Sequence, residues 1–423
     1  MTYLAIANFV LIIVMHATIY VALFLYLRGI FRQEWKTPAT PFTPKTAVIL
    51  TLRGADPSLN RCIGGLLKQD YPNYTIFMAI DHASDPALQT VHSIIEKQQP
   101  KNVEIVVVDE HLPTCTLKCN SLYYVTKNLD PSYEVVAILD ADTNPHPSWL
   151  RDLVEPLSDS RFSVASGQRW FMPDKDNFGS LIRFLWNAVA IVLSYHFRIA
   201  WGGSLALKRS LFVEGKLLDD WKKAFTDDAS IMSALAASGS RSTFVPSLFM
   251  VNRETCTIPW FHRWVQRQLL CAKLHHPTWF AIVGHAVLIM VPIFVAIFLL
   301  IYGFINGNNA VLAWTVAALV VYCIAAYAAL PIMDQGVRRK LRERNEPLTP
   351  WTWRRALQML IAIPLTQVVY CSSLFWLQFL KKVEWRGVWY EIGKDKTVRL
   401  IEYIPYAEVI GDPSSPTDGT TSL

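Results

Sequence analysis

Four long apolar stretches frame a segment of mixed polarity. Residues 4–27 form one run, broken by His16 and a few small polar residues. It reaches the roughly 20-residue length of a membrane-spanning helix. It has no basic start and no small-residue cleavage site, so it reads as a retained anchor rather than a signal peptide. Residues 279–302 and 310–330 are runs of the same kind, and residues 357–380 form another, interrupted by Pro364. Between the first run and the second the period shortens. Residues 46–52, 74–80, 103–108 and 135–139 are short β-branched runs that read as buried strands. Helical patterns at 59–69, 87–97 and 119–128 alternate with them, and a further helical stretch covers 229–237. Strand–helix alternation predicts an α/β fold with a mostly parallel sheet. The chain thus divides into an anchor (1–30), a catalytic domain (45–255), an interfacial segment (256–277), membrane helices (278–380) and a tail (381–423). The Pro-, Ser- and Thr-rich end of that tail, from about Gly411, reads as disordered.

Charge orients these pieces. Arg28, Arg32 and Lys36 follow the first run and no basic residue precedes it, which puts the domain on the cytoplasmic side. The uncharged connector 303–309 suits an outer loop. The next connector carries Arg338, Arg339, Lys340, Arg342 and Arg344 and belongs inside. Spanning by the last run would carry Lys381, Lys382 and Arg386 outside, and Pro364 removes a helix hydrogen bond near its middle. That segment is therefore expected to kink or re-enter. Residues 184–193 are apolar but too short to span, and read equally as core or interface. Residues 260–274 mix Trp, Phe, Leu, His and Arg in the manner of an interfacial helix.

Composition agrees with an integral, multi-pass membrane protein. Of 423 residues, 52% are apolar, and the mean hydropathy is +0.25. The net charge of +6 suits an anionic cytoplasmic leaflet, and no nucleic-acid partner is expected. The seven cysteines, an odd number without metal spacing, point to a reducing compartment.

Candidate chemistry lies where strands end. Asp140-Ala141-Asp142 follows the run 135–139, and alternate side chains of an extended chain point the same way. Two carboxylates that close call for a cation beside them, and a divalent Mg²⁺ or Mn²⁺ holding a diphosphate fits. Asp81 and Asp85 follow another strand. Ligands bind beyond the carboxyl ends of parallel strands, so all four acids converge on one region. Locally, Thr226, Asp227 and Asp228 read as helix-capping residues. Gly202-Gly203-Ser204 is either a turn or a place of close approach. His82 reads as a loop histidine.

In order along the chain, Leu52-Arg53-Gly54-Ala55-Asp56-Pro57-Ser58-Leu59, Gln69-Asp70-Tyr71-Pro72, Ser84-Asp85-Pro86, Lys118-Cys119-Asn120, Asp140-Ala141-Asp142, Gly202-Gly203-Ser204, Thr226-Asp227-Asp228, Arg263-Trp264 and Trp385-Arg386-Gly387 resemble family 2 type glycosyltransferases. The ceramide glucosyltransferase branch is the nearest in look. The resemblance implies a GT-A fold, a UDP-sugar donor, a divalent metal (Mn or Mg) and inversion at the anomeric carbon. By position it implies Asp81 and Asp85 at the uridine, Asp140 along the nucleotide, Asp142 on the metal and Asp228 as general base. Lys118 and Gly203 would help hold the donor. Arg263 and Trp264 would form the motif near the diphosphate and acceptor. Two positions depart from the pattern: Trp260 stands where Gln or Arg is usual, and Asp227 where Glu is usual.

The implied reaction moves a sugar, glucose first, to the hydroxyl of a membrane lipid. A ceramide-like acceptor leads, followed by diacylglycerol and a polyprenyl carrier. A processive polysaccharide synthase would need a channel that two or three late spans scarcely provide. A transporter is disfavoured because ionisable residues within the runs are scarce, essentially His16 and His285. An inactive regulator is disfavoured by intact Asp142 and Asp228.

Overall fold

The computed structural model describes residues 1–213, 216–228 and 230–411. The expected disordered end, from about Gly411, and the first residue of the predicted 229–237 helix therefore lie almost wholly or wholly outside the described residues.

The strands predicted from the short apolar runs all form. They are β1 (Thr46–Leu52), β2 (Tyr74–Ile80), β3 (Val103–Val107) and β4 (Val135–Leu139), joined by β5 (Phe162–Phe171), β6 (Ser204–Lys208) and β7 (Arg241–Asn252). Their order across one seven-stranded sheet is β3-β2-β1-β4-β6-β5-β7. β1 runs parallel to β2 and β4, whereas β6 runs antiparallel to both β4 and β5. This mixed, mostly parallel sheet with helices on both faces is the GT-A arrangement. The period-2 rule explains the uninterrupted apolar strands. Val48, Leu50, Met78 and Ala137 pack with the helices on one face. Ala47, Ile49, Ala79 and Ile138 pack with Leu122, Trp221 and Leu235 on the other. The reversal between β4 and β6 leaves a crevice outside the end of β4, where ligands of open α/β sheets bind. Trp149, fully buried beneath this crevice, donates its indole N–H to Ser204 Oγ at 2.9 Å.

Among the described residues, five helices are long and apolar enough to cross a membrane: Thr2–Ile30, Phe178–Phe197, Trp279–Ile305, Asn309–Glu343 and Trp353–Leu377. The short apolar run 184–193 is extended into one of these. Asn177 caps that helix by accepting from Ser180 N at 2.8 Å, and the backbone of Cys256 and Thr257 lies directly against Gly179. More than half of its most apolar window is buried, 56% against 28% for Thr2–Ile30, so it packs as a bridge between the sheet and the other helices. Pro364 lies within Trp353–Leu377 without ending it. At the next turn Thr366 Oγ1 donates to Ala362 O at 2.7 Å.

The interfacial segment is a helix, Ile258–His275, with Thr257 as its cap. After the membrane helices, β8 (Lys382–Trp385), β9 (Val388–Ile392) and β10 (Val398–Glu402) form a small antiparallel sheet. It docks on the catalytic domain through Leu400 N, which donates to Pro113 O at 2.8 Å.

Trp149→Ala leaves a large cavity and strands the Ser204 hydroxyl. It is expected to lower stability by about 3–5 kcal/mol, read as a fall in the thermal unfolding midpoint of the detergent-solubilised protein.

Candidate active site

The cation expected between the two carboxylates after β4 is an arginine. Arg169 Nη2, from β5, donates to Asp140 Oδ2 at 3.0 Å and lies 3.3 and 3.2 Å from the two oxygens of Asp142. Its guanidinium rests against the Trp201 ring at 4.9 Å. Asn252 Nδ2, at the end of β7, reaches Asp142 Oδ2 at 3.3 Å. A second cation, Lys118 Nζ, binds Asp140 Oδ1 at 2.8 Å and Asp227 Oδ1 at 3.1 Å. Burial favours the neutral form of Asp140, but Lys118 and Arg169 outweigh it and hold its pKa below the ordinary value. At Asp142 burial wins over the shared Arg169, and the pKa rises. Burial opposes the charge on Lys118, and the carboxylates of Asp140 and Asp227 more than restore it, raising its pKa.

A divalent ion fits this donor set on one condition. The carboxylate oxygens of Asp142 are hard ligands suited to Mg²⁺ or Mn²⁺, and its single shared arginine leaves the carboxylate short of positive charge. Among the described residues no group of three or more His, Cys, Asp or Glu stands ready to hold a metal. Most of the ion's shell would have to come from donor phosphates and water, as is usual for Mg²⁺.

The second acidic pair faces the first. Asp228 Oδ2 accepts from Gly202 N at 3.0 Å, and its Oδ1 accepts from Thr226 Oγ1 at 2.5 Å. Trp221 Nε1 donates to Asp227 O at 3.1 Å, and Phe225 N donates to His275 Nε2 at 3.1 Å, pinning the loop from both sides. Asp227 Oδ2 is buried without a hydrogen-bond partner, and burial raises the Asp227 pKa to about 6 despite Lys118. A side chain at Gly202 would strike this carboxylate, and one at Gly203 would strike Trp201 and Asp140. The two glycines are therefore places of close approach.

Asp81 and Asp85, which follow β2 two strands away from β4, stand apart from this cluster. Asp85 caps the helix Pro86–Gln98, accepting from Ala87 N at 2.8 Å and Gly54 N at 3.0 Å. Asp81 pairs with Arg53, accepts from Tyr403 Oη at 3.0 Å and lies 3.4 Å from His111 Nε2. Tyr403 stacks on His111 with ring centres 3.8 Å apart. Trp385-Arg386-Gly387 proves to be a hairpin turn. Arg386 and Gly387 have φ of +51° and +75° between the paired Trp385 and Val388, the pattern of a two-residue I′ turn. It delivers Arg386 Nη2 to Asp56 Oδ2 at 3.2 Å. His82 bonds within its loop, to Ser84.

On the helix Ile258–His275, Trp264 is buried and Arg263 is exposed. Arg267, one turn further on, is buried against Trp385 at 4.9 Å. Trp264, Arg267 and His276 line a cavity of about 600 Å³ that Lys118, Asp140, Asp227 and Asp228 also border. From the carboxylates it runs between Leu185, Ile282, Tyr322 and Tyr370 of the membrane helices. Arg263 is not among the lining residues. Arg169, Arg267, His275 and His276 were not singled out in the sequence. Arg267 lies within the stretch 260–274 read as interfacial, and Arg169 is a charge in β5, whose residues are all buried.

The raised pKa of Asp227 fixes a sign. A carboxyl whose folded pKa exceeds its unfolded value binds extra protons when folded, so stability falls as pH rises from about 4 to about 6. Asp227→Asn, which removes the titrating carboxyl, is expected to flatten that fall of stability with pH. Thermal unfolding across pH measures it.

The profile described as Glycosyl transferase family 21 matches residues 9–398. A ceramide glucosyltransferase of Komagataella phaffii is 24% identical over 83 residues, which cover 20% of this chain and 16% of that relative. Among solved structures, a mannosyltransferase of Pyrobaculum calidifontis in complex with GDP-Man and Mn²⁺ superposes with a TM-score of 0.49 at 16% identity, covering 88% of this chain and 99% of its own. Residues 1–349 of TarS from S. aureus give 0.36 at 15% identity, over 86% and 98%. With the profile spanning nearly the whole chain, from the first membrane helix to the C-terminal sheet, the protein belongs to glycosyl transferase family 21.

Proposed function

We propose that this glycosyltransferase moves a sugar, glucose in the first instance, from a UDP-sugar to the hydroxyl of a membrane lipid, with inversion and with a ceramide-like acceptor. One observation carries the lipid assignment. The cavity that borders Asp228 continues between the membrane helices, where its walls are mainly apolar. A lipid entering from the bilayer brings its head group to the acids while its chains stay in apolar surroundings. A polysaccharide chain would instead need a polar wall, and an anionic polyprenyl phosphate would meet Asp227 and Asp228 at the mouth.

Asp228 takes the proton of the acceptor hydroxyl. The Gly202 amide and the Thr226 hydroxyl fix the orientation of its carboxylate. Arg169 and Arg267 put positive charge beside the departing diphosphate, and Lys118 keeps Asp140 and Asp227 from repelling it. A divalent ion on Asp142 would supply Lewis-acid stabilisation of the same oxygens. Trp264 and Trp385 help close the site to water. Asp81 and Asp85 shape the uridine end, Asp85 through the Gly54 amide.

A cytoplasmic active site is supported by the basic residues. Gly336 packs on Leu27 and Ile30, and Arg339 and Lys340 lie 4.8 and 5.4 Å from the Phe31 ring. The two basic segments thus share one end of the bundle.

The test uses the full chain in nanodiscs with UDP-glucose, Mn²⁺ or Mg²⁺, and ceramide, diacylglycerol and polyprenyl phosphate. Glucosyl-ceramide detected by mass spectrometry is the expected product. Asp228→Asn should lower its formation at least about 100-fold, and EDTA should abolish it. UDP release without glycolipid overturns the acceptor assignment, and no turnover with any UDP-sugar overturns the donor assignment.

A further inference from the structure

Four membrane helices each send a polar side chain to the wall of the cavity, away from the reacting groups. His16 comes from Thr2–Ile30, His285 from Trp279–Ile305, Tyr322 from Asn309–Glu343 and Gln367 from Trp353–Leu377. The His16 ring meets the Tyr322 ring edge-on at 5.1 Å, and Gln367 lines the same cavity. Ile289 packs with Ile12, Met15 and Tyr322, and His285 lies one turn before it on the same helix. His16 stands fourteen residues before Ile30, roughly 21 Å along the helix. Polar side chains at such depth are costly and rare in membrane proteins, and they usually mark a ligand path.

The hydrogen bonds specify what is missing. His16 Nδ1 lies 2.9 Å from Ile12 O. A carbonyl only accepts, so Nδ1 carries the proton and Nε2 is left as an acceptor. His16 is 94% buried, with 6% exposed. His285 Nδ1 is buried with no partner. An acceptor at His16 asks for an O–H or N–H from the occupant, and the phenol of Tyr322 and the ring of His285 stand in the same cavity to complete the bonding of a hydroxyl.

We propose that this inner part of the cavity is a second subsite for the acceptor, taking a hydroxyl carried on the apolar chain of the lipid at a distance from the hydroxyl that is glycosylated. The proposal rests on the lipid-acceptor reading and adds a chemical requirement to it. The subsite selects chain-hydroxylated lipids over their unsubstituted counterparts.

The experiment compares two ceramides that differ only in a mid-chain hydroxyl on the acyl group. Wild type, as full chain in nanodiscs, is expected to use the hydroxylated ceramide about tenfold better in kcat/KM, mainly through KM. His16→Leu and Tyr322→Phe should each bring that ratio close to one. Equal use of the two lipids by wild type, or an unchanged ratio in both variants, overturns the proposal. UDP binding by each variant checks folding. If His16→Leu fails that check, Tyr322→Phe, which keeps the ring, carries the test. A parallel arm measures retention of the same two lipids by native mass spectrometry on Asp228→Asn, with and without His16→Leu. Preferential retention that His16→Leu abolishes, while wild type transfers sugar to neither lipid, keeps the subsite and overturns the transfer reading instead. Equal retention overturns the subsite.

Discussion

The site depends on two cations, Arg169 buried and Lys118 half-buried, that neutralise the buried carboxylates of Asp142 and Asp227 and the half-buried Asp140. Lys118 joins Asp140 to Asp227, and Arg169 joins Asp140 to Asp142. Buried charges are tolerated only when paired, and removing one partner strands the others. The pairs also cross the fold. Lys118 begins the helix Leu117–Lys127, Asp140 follows β4, Arg169 lies on β5, and Asp227 sits on the loop pinned by His275. The parallel half of the sheet and the half beyond the reversal are thereby held at one spacing, with the crevice between them. The balance is incomplete at Asp142 and at Asp227, where burial raises the pKa in spite of the cations. This is the usual condition of a site built to receive further charge.

A continuous apolar cluster ties that crevice to the membrane helices. Trp170 and Phe171 of β5 pack with Phe184 and Leu185, with Phe261 and Trp264, and with Met333, Met359 and Tyr370. Trp264 meets Phe171 and Trp186 edge-on, at 5.7 and 5.4 Å. Just beyond the ends of Thr2–Ile30 and Phe178–Phe197, Arg198 makes two hydrogen bonds to Glu34, at 2.8 and 2.9 Å. The strand that supplies Arg169 therefore also anchors the helices that wall the cavity. The distance between the acids and the membrane is set by packing rather than by a linker.

The end of the sheet beside Asp81 is closed by sequence from the other end of the chain. Arg53, just after β1, donates to the carbonyls of Arg386 and Ile404, at 2.9 and 2.7 Å. Arg386 returns a hydrogen bond to Arg53 O. Tyr406 packs over Gly54, whose φ of +78° makes room for the turn. The carboxylate of Asp81 thus faces Arg53 and Tyr403 together, and the tail sheet is part of the catalytic domain.

The sequence by itself determined the local order. Apolar, β-branched runs of five to seven residues read as buried strands, and runs of twenty or more as membrane-length helices. The acids at strand ends followed from alternation; Asp140 and Asp142 share Arg169, whereas Asp81 and Asp85, expected to converge with them, pair with Arg53 and cap a helix instead. Tertiary structure decided what sequence distance hides. Arg169 lies 27 residues from Asp142 and is brought to it by strand pairing across the reversal. Arg267 replaces Arg263 on the cavity wall because helical rotation, invisible in a short motif, turns Arg263 outward. The tail sheet escaped notice because its strands are short and half-exposed, so their periodicity is weak. The cavity belongs to no segment at all. It exists only between helices whose polar members, His16 and His285 among them, look like isolated exceptions until packing puts them on one wall.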